Sequence, residues 1–253
     1  MNQPLKIATC QFPVSGDMAK NARFISRFMR QAVDAGANLV HFPETALSGY
    51  AHLEYPTFDG FDWQFLEART REIIALAENL NLWVVLGSCQ KTRNKPTNCL
   101  HVISNQGRVV GTYHKRNLAG KELLSYSPGK ELLVIDIHGM KCGFLICYDS
   151  WFPSLYDAYR KRGVRLLFHS YYSVSTNRRI NLEDLSMAQL RTRAADHQMW
   201  ISASNSSSRH SFLETCVARP DGSLRNLKRH AAGIMLYDFP DTEVTEDALR
   251  RPL

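Results

Sequence analysis

The chain has no apolar run that approaches the roughly 18 to 20 residues of a membrane-spanning helix. Its N-terminal stretch, MNQPLKIATCQF, lacks the basic start and the apolar centre of a secretory signal peptide. We therefore expect a cytoplasmic protein with no membrane partner. In that compartment its six cysteines are expected to be reduced thiols.

Motifs for metals and organic cofactors are also missing. The cysteines form no Cys-x-x-Cys pair and the histidines no His-Glu-x-x-His spacing, which disfavours zinc knuckles and zinc proteases. No Gly-x-Gly-x-x-Gly follows the first predicted strand, so a dinucleotide-binding enzyme lacks support. We expect no metal and no cofactor. The histidines at or near predicted strands should instead be satisfied by hydrogen bonds: His41, His101, His114, His138 and His169.

The net charge of +7 is not gathered into a basic region. Lysines and arginines are dispersed, with no basic helix and no aromatic stacking platform, which disfavours nucleic-acid binding. A solubilising surface explains such a charge, and attraction of an anionic substrate stays open. No linker rich in Pro, Gly or Ser divides the chain, so residues 1–253 are predicted to form a single domain.

Strands and helices alternate along the sequence. Apolar residues at helical spacing predict a helix capped by Asp17, and others at Trp63 to Asn79, Ser154 to Lys161 and Leu182 to His197. Strands are predicted at Leu5 to Gln11, Ala37 to Phe42, Leu82 to Ser88, Asn98 to Ile103, Arg108 to His114, Leu132 to Ile137, Lys141 to Ile146, Val164 to His169, Trp200 to Ala203, Phe212 to Ala218 and Ile234 to Tyr237. The last two bracket a turn at Asp221 and Gly222. The hairpins favour an α/β fold of two mixed sheets packed face to face, with helices outside.

Three segments place a reactive side chain at the end of a predicted strand, where active sites of α/β proteins gather. Glu44, in HFPETALSGY, follows a buried strand and a proline, and desolvation there would make it a base near neutral pH. Lys115, in YHKRNL, could stabilise an oxyanion. Cys147, in CGFLICYDSWFP, precedes a predicted helix, whose N-terminus should favour the thiolate. Taken singly, these would be two solvated surface charges and a buried thiol.

Taken in order, FPETALSGY, YHKRNL and FLICYDSWFP resemble the signature of the nitrilase superfamily, the carbon–nitrogen hydrolases. The resemblance covers nearly the whole chain and implies a four-layer α-β-β-α sandwich. It also implies a catalytic set of Glu44, Lys115 and Cys147. The segment KELLSYSPG resembles the loop that carries the family's second glutamate, here Glu122, which is otherwise a solvated loop acid.

The resemblance implies hydrolysis of a small non-peptide amide or ureido compound through a thioester intermediate, with release of ammonia or an amine. The Tyr and Asp after the cysteine resemble the amidase-type branches, whereas the nitrile-cleaving branch more often has Trp and Glu there. A nitrile hydrolase of the same family stays an alternative. So does a catalytically silent member that binds a small molecule or a partner. Departures from the family pattern at Trp151, Ser154, Asp196 and His197 leave the substrate open.

Aromatic residues near the catalytic segments are predicted to contact the substrate: Tyr50, Tyr148, Trp151, Tyr171 and Tyr172. The loop from Tyr50 to Phe61 is predicted to cover the pocket, and Arg178 or Arg179 to bind a substrate carboxylate.

The resemblance further implies a homodimer formed through the two helices that flank the nucleophile. Their apolar stripes are Leu155, Ala158 and Tyr159 on the first helix, and Leu185, Ala188 and Leu190 on the second. The alternative is that these stripes only cover the sheet.

Overall fold

The computed structural model describes residues 5–174 and 182–239 of the chain. The elements are β1 (Leu5–Gln11), α1 (Met18–Asp34), β2 (Leu39–His41), α2 (Trp63–Asn79), β3 (Trp83–Gln90), β4 (Thr97–Ile103), β5 (Val109–His114), α3 (Glu122–Ser125), β6 (Val134–Ile137), β7 (Met140–Ile146), a 3₁₀ turn (Cys147–Trp151), α4 (Pro153–Lys161), β8 (Leu166–Tyr171), α5 (Leu182–His197), β9 (Trp200–Asn205), β10 (Cys216–Ala218), β11 (Leu224–Asn226) and β12 (Gly233–Phe239).

The first helix shows why these residues form these elements. The Asp17 carboxylate accepts a hydrogen bond from the Lys20 amide at 2.9 Å, which satisfies one of the free donors at the helix start. Ile25, Phe28 and Met29 recur at helical spacing and are buried. The sequence-based prediction of this capped, one-sided helix is confirmed.

In the described part of the chain, the strands form two six-stranded sheets, ordered β12-β1-β2-β3-β4-β5 and β11-β10-β9-β8-β7-β6. The central strands are parallel in each sheet, β1, β2 and β3 in one and β7, β8 and β9 in the other. Hairpins and the β1–β12 pair add antiparallel neighbours at the edges. Both sheets are therefore mixed, as predicted. Within each sheet the central strands are parallel, so their carboxyl ends lie at the same edge of that sheet.

Side chains alternate along the strands between the two faces of each sheet. On β2 and β3, Val40 and Val84 pack in one apolar cluster with Ile25 and Phe28 of α1. Their neighbours on the opposite face belong to a second cluster, which includes residues of the other sheet, α4 and α5. The layers are thus helix, sheet, sheet and helix, and the predicted α-β-β-α sandwich is confirmed.

A polar layer joins the two sheets near the ends of β2 and β8. The Ser170 hydroxyl donates to the Phe42 carbonyl at 2.9 Å, so it accepts from His41 Nε2, also at 2.9 Å. His41 Nδ1 then accepts from the Ser202 hydroxyl at 2.9 Å, and Thr9 Oγ1 lies 2.8 Å from that oxygen. The strand that leads to Glu44 is thereby fixed against the opposite sheet.

The sequence analysis missed strand β11, which lies between the two strands predicted on either side of Asp221 and Gly222. The turn at Asp221 and Gly222 joins β10 to β11, and the last described strand, β12, crosses to the other sheet and pairs with β1. Strand β11 is three residues long, has exposed Arg225 and Asn226, and so shows no apolar pattern. The short helix α3 and the 3₁₀ turn were also missed, because four or five residues carry no helical periodicity.

Candidate active site

Glu44 lies just beyond β2, in a turn whose next residue, Thr45, has φ of 50°. Its side chain is fully buried. A Cβ on Gly87 of β3 would come within 1.9 Å of the Pro43 carbonyl oxygen, so glycine is required behind this turn. The Glu44 amide donates to the Tyr171 carbonyl at 3.3 Å, which places the turn against the end of β8 in the other sheet.

Lys115 follows β5 and is also buried. Its amide donates to the Asn98 carbonyl at 2.8 Å, and its own carbonyl accepts from the Gly129 amide at 2.7 Å. Its ammonium, Nζ, lies 2.7 Å from Glu44 Oε1 and 2.7 Å from Glu122 Oε1. The structure therefore brings together all three charged residues that the sequence singled out.

Glu122 begins α3 and is 2% exposed, which excludes a solvated loop acid. Its Oε1 accepts from Lys115, and its Oε2 accepts from the Ala119 amide at 2.7 Å. The short loop from Lys115 to Glu122 is therefore long enough to turn the carboxylate back onto the lysine.

A buried asparagine that the sequence analysis did not single out completes this cluster. Asn98 Nδ2 donates to Glu44 Oε1 at 2.7 Å and lies 3.3 Å from Glu122 Oε1. Asn98 begins the β4 apolar pattern, where a polar residue is typical of a strand boundary. The sequence offered no signal beyond that position.

Cys147 follows β7 and starts the 3₁₀ turn with φ of 43°, in the left-handed region that a non-glycine residue rarely adopts. His169 Nε2 donates to the Cys147 carbonyl at 3.2 Å, while His169 Nδ1 lies 3.0 Å from the Tyr171 hydroxyl. This strained turn is over-determined by its neighbours, as expected at an active site.

Asp149 ties the cysteine turn to the lysine segment. Its Oδ2 accepts from the Tyr113 hydroxyl at 2.8 Å and from the Ile146 amide at 3.1 Å. Its Oδ1 accepts from the Asn117 amide and from Asn117 Nδ2, both at 2.9 Å. Asp149 was part of the quoted motif without an assigned role, and its partners became visible only in the structure.

The surroundings of Cys147 keep it as a thiol. Part of the residue is exposed, but burial of the sulfur raises the pKa of the thiol, and the negative charge of Glu44 raises it further. The Lys115 charge and a hydrogen bond from the Tyr172 amide act in the opposite direction without reversing the result. The expectation that the following helix favours the thiolate is therefore not met, and the thiol needs a base.

Glu44 is suited to be that base. Burial raises the pKa of its carboxyl, and the charge of Lys115 partly offsets this increase. Burial alone would lower the pKa of Lys115, but Glu44 and Glu122 more than reverse this, so the ammonium stays charged. The Tyr172 amide donates to Glu44 Oε2 at 2.8 Å and also reaches the Cys147 sulfur, so base and thiol share one neighbour.

Two of the aromatic residues predicted to contact substrate lie beside the charged cluster. Tyr50 and Tyr172 stack with their ring centres 4.9 Å apart. Burial raises the pKa of the Tyr50 hydroxyl, on which the charges of Lys115, Glu44 and Glu122 also act. The Tyr172 hydroxyl donates to Glu54 Oε1. Tyr50 therefore lies near the charged cluster, and its contact with substrate stays a prediction.

For the other three aromatic residues, contact with substrate stays a prediction. Tyr171 is buried, and its ring stacks on His169 with the ring centres 4.2 Å apart. Trp151 is 42% exposed and packs on Tyr148 at 6.2 Å, on the surface side of the 3₁₀ turn. Tyr148 also packs on Phe152.

The loop from Tyr50 to Phe61 is linked to α3. His52 Nε2 lies 2.8 Å from the Ser125 hydroxyl, and the Ala51 amide donates to the Tyr126 hydroxyl. Whether this loop covers the pocket stays a prediction. The predicted carboxylate ligands Arg178 and Arg179 lie outside the described residues.

Residues 5–174 and 182–239 contain no group of three or more His, Cys, Asp or Glu side chains arranged to hold a metal ion. In the same part of the chain, no helix combines the length and apolarity needed to cross a bilayer.

The structure combines a buried Glu–Lys–Glu cluster, a strand-end cysteine and an α-β-β-α sandwich. This is the combination that the resemblance to the carbon–nitrogen hydrolases implied. The model of the carbon-nitrogen hydrolase family matches residues 6–243. The chain belongs to the carbon–nitrogen hydrolase family, and the predicted membership of the nitrilase superfamily is confirmed.

Its relatives include amidases. A deaminated glutathione amidase from Bos taurus is 28% identical over 242 residues, which cover 86% of this chain and 71% of the relative. An omega-amidase from Homo sapiens is 25% identical over 210 residues, with 79% and 74% covered. A hydrolase from Mycobacterium tuberculosis is 27% identical over 171 residues, and the match spans 64% of this chain and only 59% of that relative.

Solved structures share the fold. An amidase from Nesterenkonia of the nitrilase superfamily superposes with a TM-score of 0.83 and 20% identity, covering 98% of this chain and 95% of that chain. A glutamine-dependent NAD+ synthetase from Acinetobacter baumannii gives a TM-score of 0.80 at 21% identity, covering 94% of this chain and 46% of that chain. At these identities the likeness establishes the fold.

Proposed function

We propose that this chain hydrolyses a small non-peptide amide or ureido compound through a thioester on Cys147, releasing ammonia or an amine. The observation that carries the proposal is the Lys115 ammonium, held 2.7 Å from both Glu44 and Glu122 beside the strained cysteine. Burying three charges is a costly way to stabilise a fold. A base, a fixed cation and a thiol are what acyl transfer to sulfur requires.

The acylation step follows from the positions of these groups. Glu44 takes the thiol proton, and the Cys147 sulfur forms a bond to the amide carbon. The negative charge on the substrate oxygen is stabilised by the Lys115 ammonium and by the backbone amide of Tyr148. Glu44 then gives the proton to the nitrogen as the carbon–nitrogen bond breaks, and ammonia or an amine departs.

Hydrolysis of the thioester completes the cycle. A water molecule transfers a proton to Glu44 and attacks the thioester carbon. The carbon–sulfur bond breaks, the sulfur regains the proton, and the carboxylic acid leaves. Glu122 holds the Lys115 ammonium in place throughout. Each step uses groups of this chain, so the mechanism needs no metal or organic cofactor.

The amide assignment rests on the relatives and on the cluster. The bovine and human relatives are named as amidases, which supports an amide over a nitrile. The complete Glu44, Lys115 and Cys147 set argues against a catalytically silent member. Tyr50 lies near the charged cluster, and we expect the site to take a small acyl group rather than a peptide chain.

The first test is capture of the acyl group. Purified protein is incubated with a panel of small amides, ureido acids and nitriles, and its intact mass is measured. We expect an acyl adduct on Cys147 in the wild type. Cys147→Ala should lose turnover by at least about a thousandfold, whereas Cys216→Ala, a buried thiol on β10, should keep it. If Cys147→Ala kept more than about a tenth of wild-type turnover, another residue would be the nucleophile.

The second test separates substrate classes. Values of kcat/KM are compared for an ω-amido acid, its neutral analogue, the matching nitrile and a short peptide. Preference for the amides over the nitrile and the peptide supports the proposal. Efficient peptide cleavage would contradict it, and equal rates for the acid and neutral analogues would remove the predicted arginine contact alone.

The proposal extends to the setting of the protein. We place it in the cytoplasm, which is consistent with six free cysteines and no disulfide. We also propose that the protein is a homodimer, which pairs through α4 and α5 on the outer face of the second sheet. Neither statement changes the chemistry at Cys147.

A further inference from the structure

The hydrogen bonds of Glu44 leave one of its carboxylate oxygens more available than the other. An ionised carboxylate has about four acceptor positions, two on each oxygen. Oε1 accepts from Lys115 Nζ and from Asn98 Nδ2, each at 2.7 Å, so both of its positions are filled. Among the described residues, Oε2 accepts from one donor, the Tyr172 amide, at 2.8 Å. The open acceptor position is therefore on Oε2.

Oε2 is also the oxygen that shares a neighbour with the nucleophile. The Tyr172 amide that donates to it also hydrogen-bonds to the Cys147 sulfur. Oε2 therefore combines an open acceptor position with this shared neighbour, whereas both acceptor positions of Oε1 are occupied. Without Asn98, Oε1 would have an open position of its own, and the proton could bind facing away from the sulfur.

Asn98 supplies its donor without a second positive charge. Nδ2 lies between Glu44 Oε1 and Glu122 Oε1, at 2.7 and 3.3 Å, as the Lys115 ammonium does. This neutral donor helps Glu44 and Glu122 share one ammonium. It stabilises the ionised form of Glu44 only weakly, so the carboxylate can still accept a proton. An ammonium in its place would stabilise the ionised form more strongly.

The other end of the Asn98 side chain shows that this placement is not made for stability. The residue is fully buried, yet its carbonyl, Oδ1, has no hydrogen-bond partner among the residues that the structure describes. A buried carbonyl without a partner destabilises the folded state. The amide cannot rotate to relieve this, because rotation would turn the carbonyl oxygen toward two carboxylates.

We infer that Asn98 is a positioning residue that fills Oε1 of Glu44, so that Oε2 alone exchanges the proton with Cys147. The inference rests on the proposed function, in which Glu44 is the base. The titratable groups that face Glu44 are Lys115, Glu122, Cys147, Tyr50 and Tyr172. Because Asn98 carries no charge, its removal changes the hydrogen bonding of Glu44 and not the number of charges around it.

The test uses Asn98→Leu, which fills the space without a donor, and Asn98→Ala, which leaves it open. Loss of the donor raises the pKa of Glu44, and Glu44 must be ionised to act. We expect the acid limb of kcat/KM to move upward by about one pH unit. We also expect kcat to fall about tenfold, with a smaller change in KM. The control is Asn21→Leu, which removes another buried asparagine, on α1, and should leave the pH profile unchanged.

A second readout does not depend on turnover. The rate at which iodoacetamide alkylates Cys147 is followed by intact mass across the same pH range, after thermal unfolding has shown that each variant is folded. Both Asn98 variants should show the same upward shift. If the acid limbs of both pH profiles were unchanged in the Asn98 variants, while the wild type hydrolysed amides, the role of Asn98 would be overturned and the proposed function would stand. A wild type that is alkylated with an Asn98-dependent limb, yet hydrolyses no amide, would overturn the function alone.

Discussion

The protonation state of single residues is decided here by burial more than by local sequence. The sequence around Cys147 predicts a helix N-terminus, which favours a thiolate. The structure surrounds the sulfur with protein and places Glu44 nearby, and both raise the pKa of the thiol. A resting thiol beside a buried base makes the proton transfer part of catalysis and leaves the free enzyme less open to oxidation.

His41 gives the first prediction at this scale. Burial, and to a smaller extent the neighbouring His169, lower its pKa from the ordinary value of 6.5 to about 3. Between about pH 3 and pH 6.5, His41 is protonated in the unfolded chain and neutral in the folded chain. The stability that depends on neutral His41 is therefore present above pH 6.5 and is lost as the pH falls toward 3. His101 and His169, whose pKa values burial also lowers, act in the same direction.

The measurement is the free energy of unfolding in urea at pH 7 and at pH 5. For His41 alone, the loss between these two pH values should be about 2 kcal/mol. In His41→Gln, the difference between pH 7 and pH 5 should shrink by about that amount. His210→Gln, at an exposed position, should leave it unchanged. An equal pH dependence in His41→Gln and the wild type would mean that His41 is not kept neutral.

Elements with a full apolar period could be predicted from the sequence, and short ones could not. Helices α2 and α5 begin and end where their stripes predicted. The three-residue strand β11 and the four-residue helix α3 depend on neighbours that are distant in sequence. The same reason hid Asn98, because its partners are defined by the pairing of β3, β4 and β5 and not by nearby residues.

Strand β3 supports the catalytic turn through a glycine, which gives a prediction at the scale of the element. A methyl group at Gly87 would meet Pro43 O at 1.9 Å and Thr45 N at 2.8 Å, both backbone atoms. Gly87→Ala should therefore push the Glu44 turn away from the nucleophile. A displacement of about 1 Å is enough to lower kcat about a hundredfold, and overpacking should cost about 1–3 kcal/mol of stability.

The matched control is Gly233→Ala on β12, where the added methyl group meets nothing within 4 Å. It should keep both stability and kcat. The two variants are compared by thermal unfolding and by turnover of the best amide. Wild-type kcat in Gly87→Ala would show that the turn moves without harm, and that β3 does not set the position of Glu44.

At the scale of the whole molecule, the site joins the two sheets. Glu44 comes from the first sheet and Cys147 from the second, and the His41–Ser170 contact and the Tyr172 amide connect them. The order of motifs in the sequence predicted which charged residues the structure brings together, because each motif sits at a strand end. It did not predict how the sheets are held together, since those contacts join residues more than a hundred positions apart.

The homodimer is the last prediction. The structure buries Leu155, Tyr159 and Leu190 within the chain, so these members of the predicted stripes cover the sheet. Leu185 stays 41% exposed on α5, and Trp151 lies 42% exposed just before α4. Ala188 of the predicted α5 stripe is exposed as well, and Ala158 of α4 is half-buried. A second copy could bury these side chains around a two-fold axis.

Light scattering at micromolar concentration should give twice the chain mass of 28.8 kDa. Leu185→Glu places a charge on the proposed interface and should shift the protein toward the monomer. Leu124→Glu is the control: this leucine is 68% exposed on α3, away from α4 and α5, and its change should leave the dimer intact. A wild-type mass near 28.8 kDa would exclude the dimer. A dimer broken by Leu124→Glu and not by Leu185→Glu would move the interface to α3.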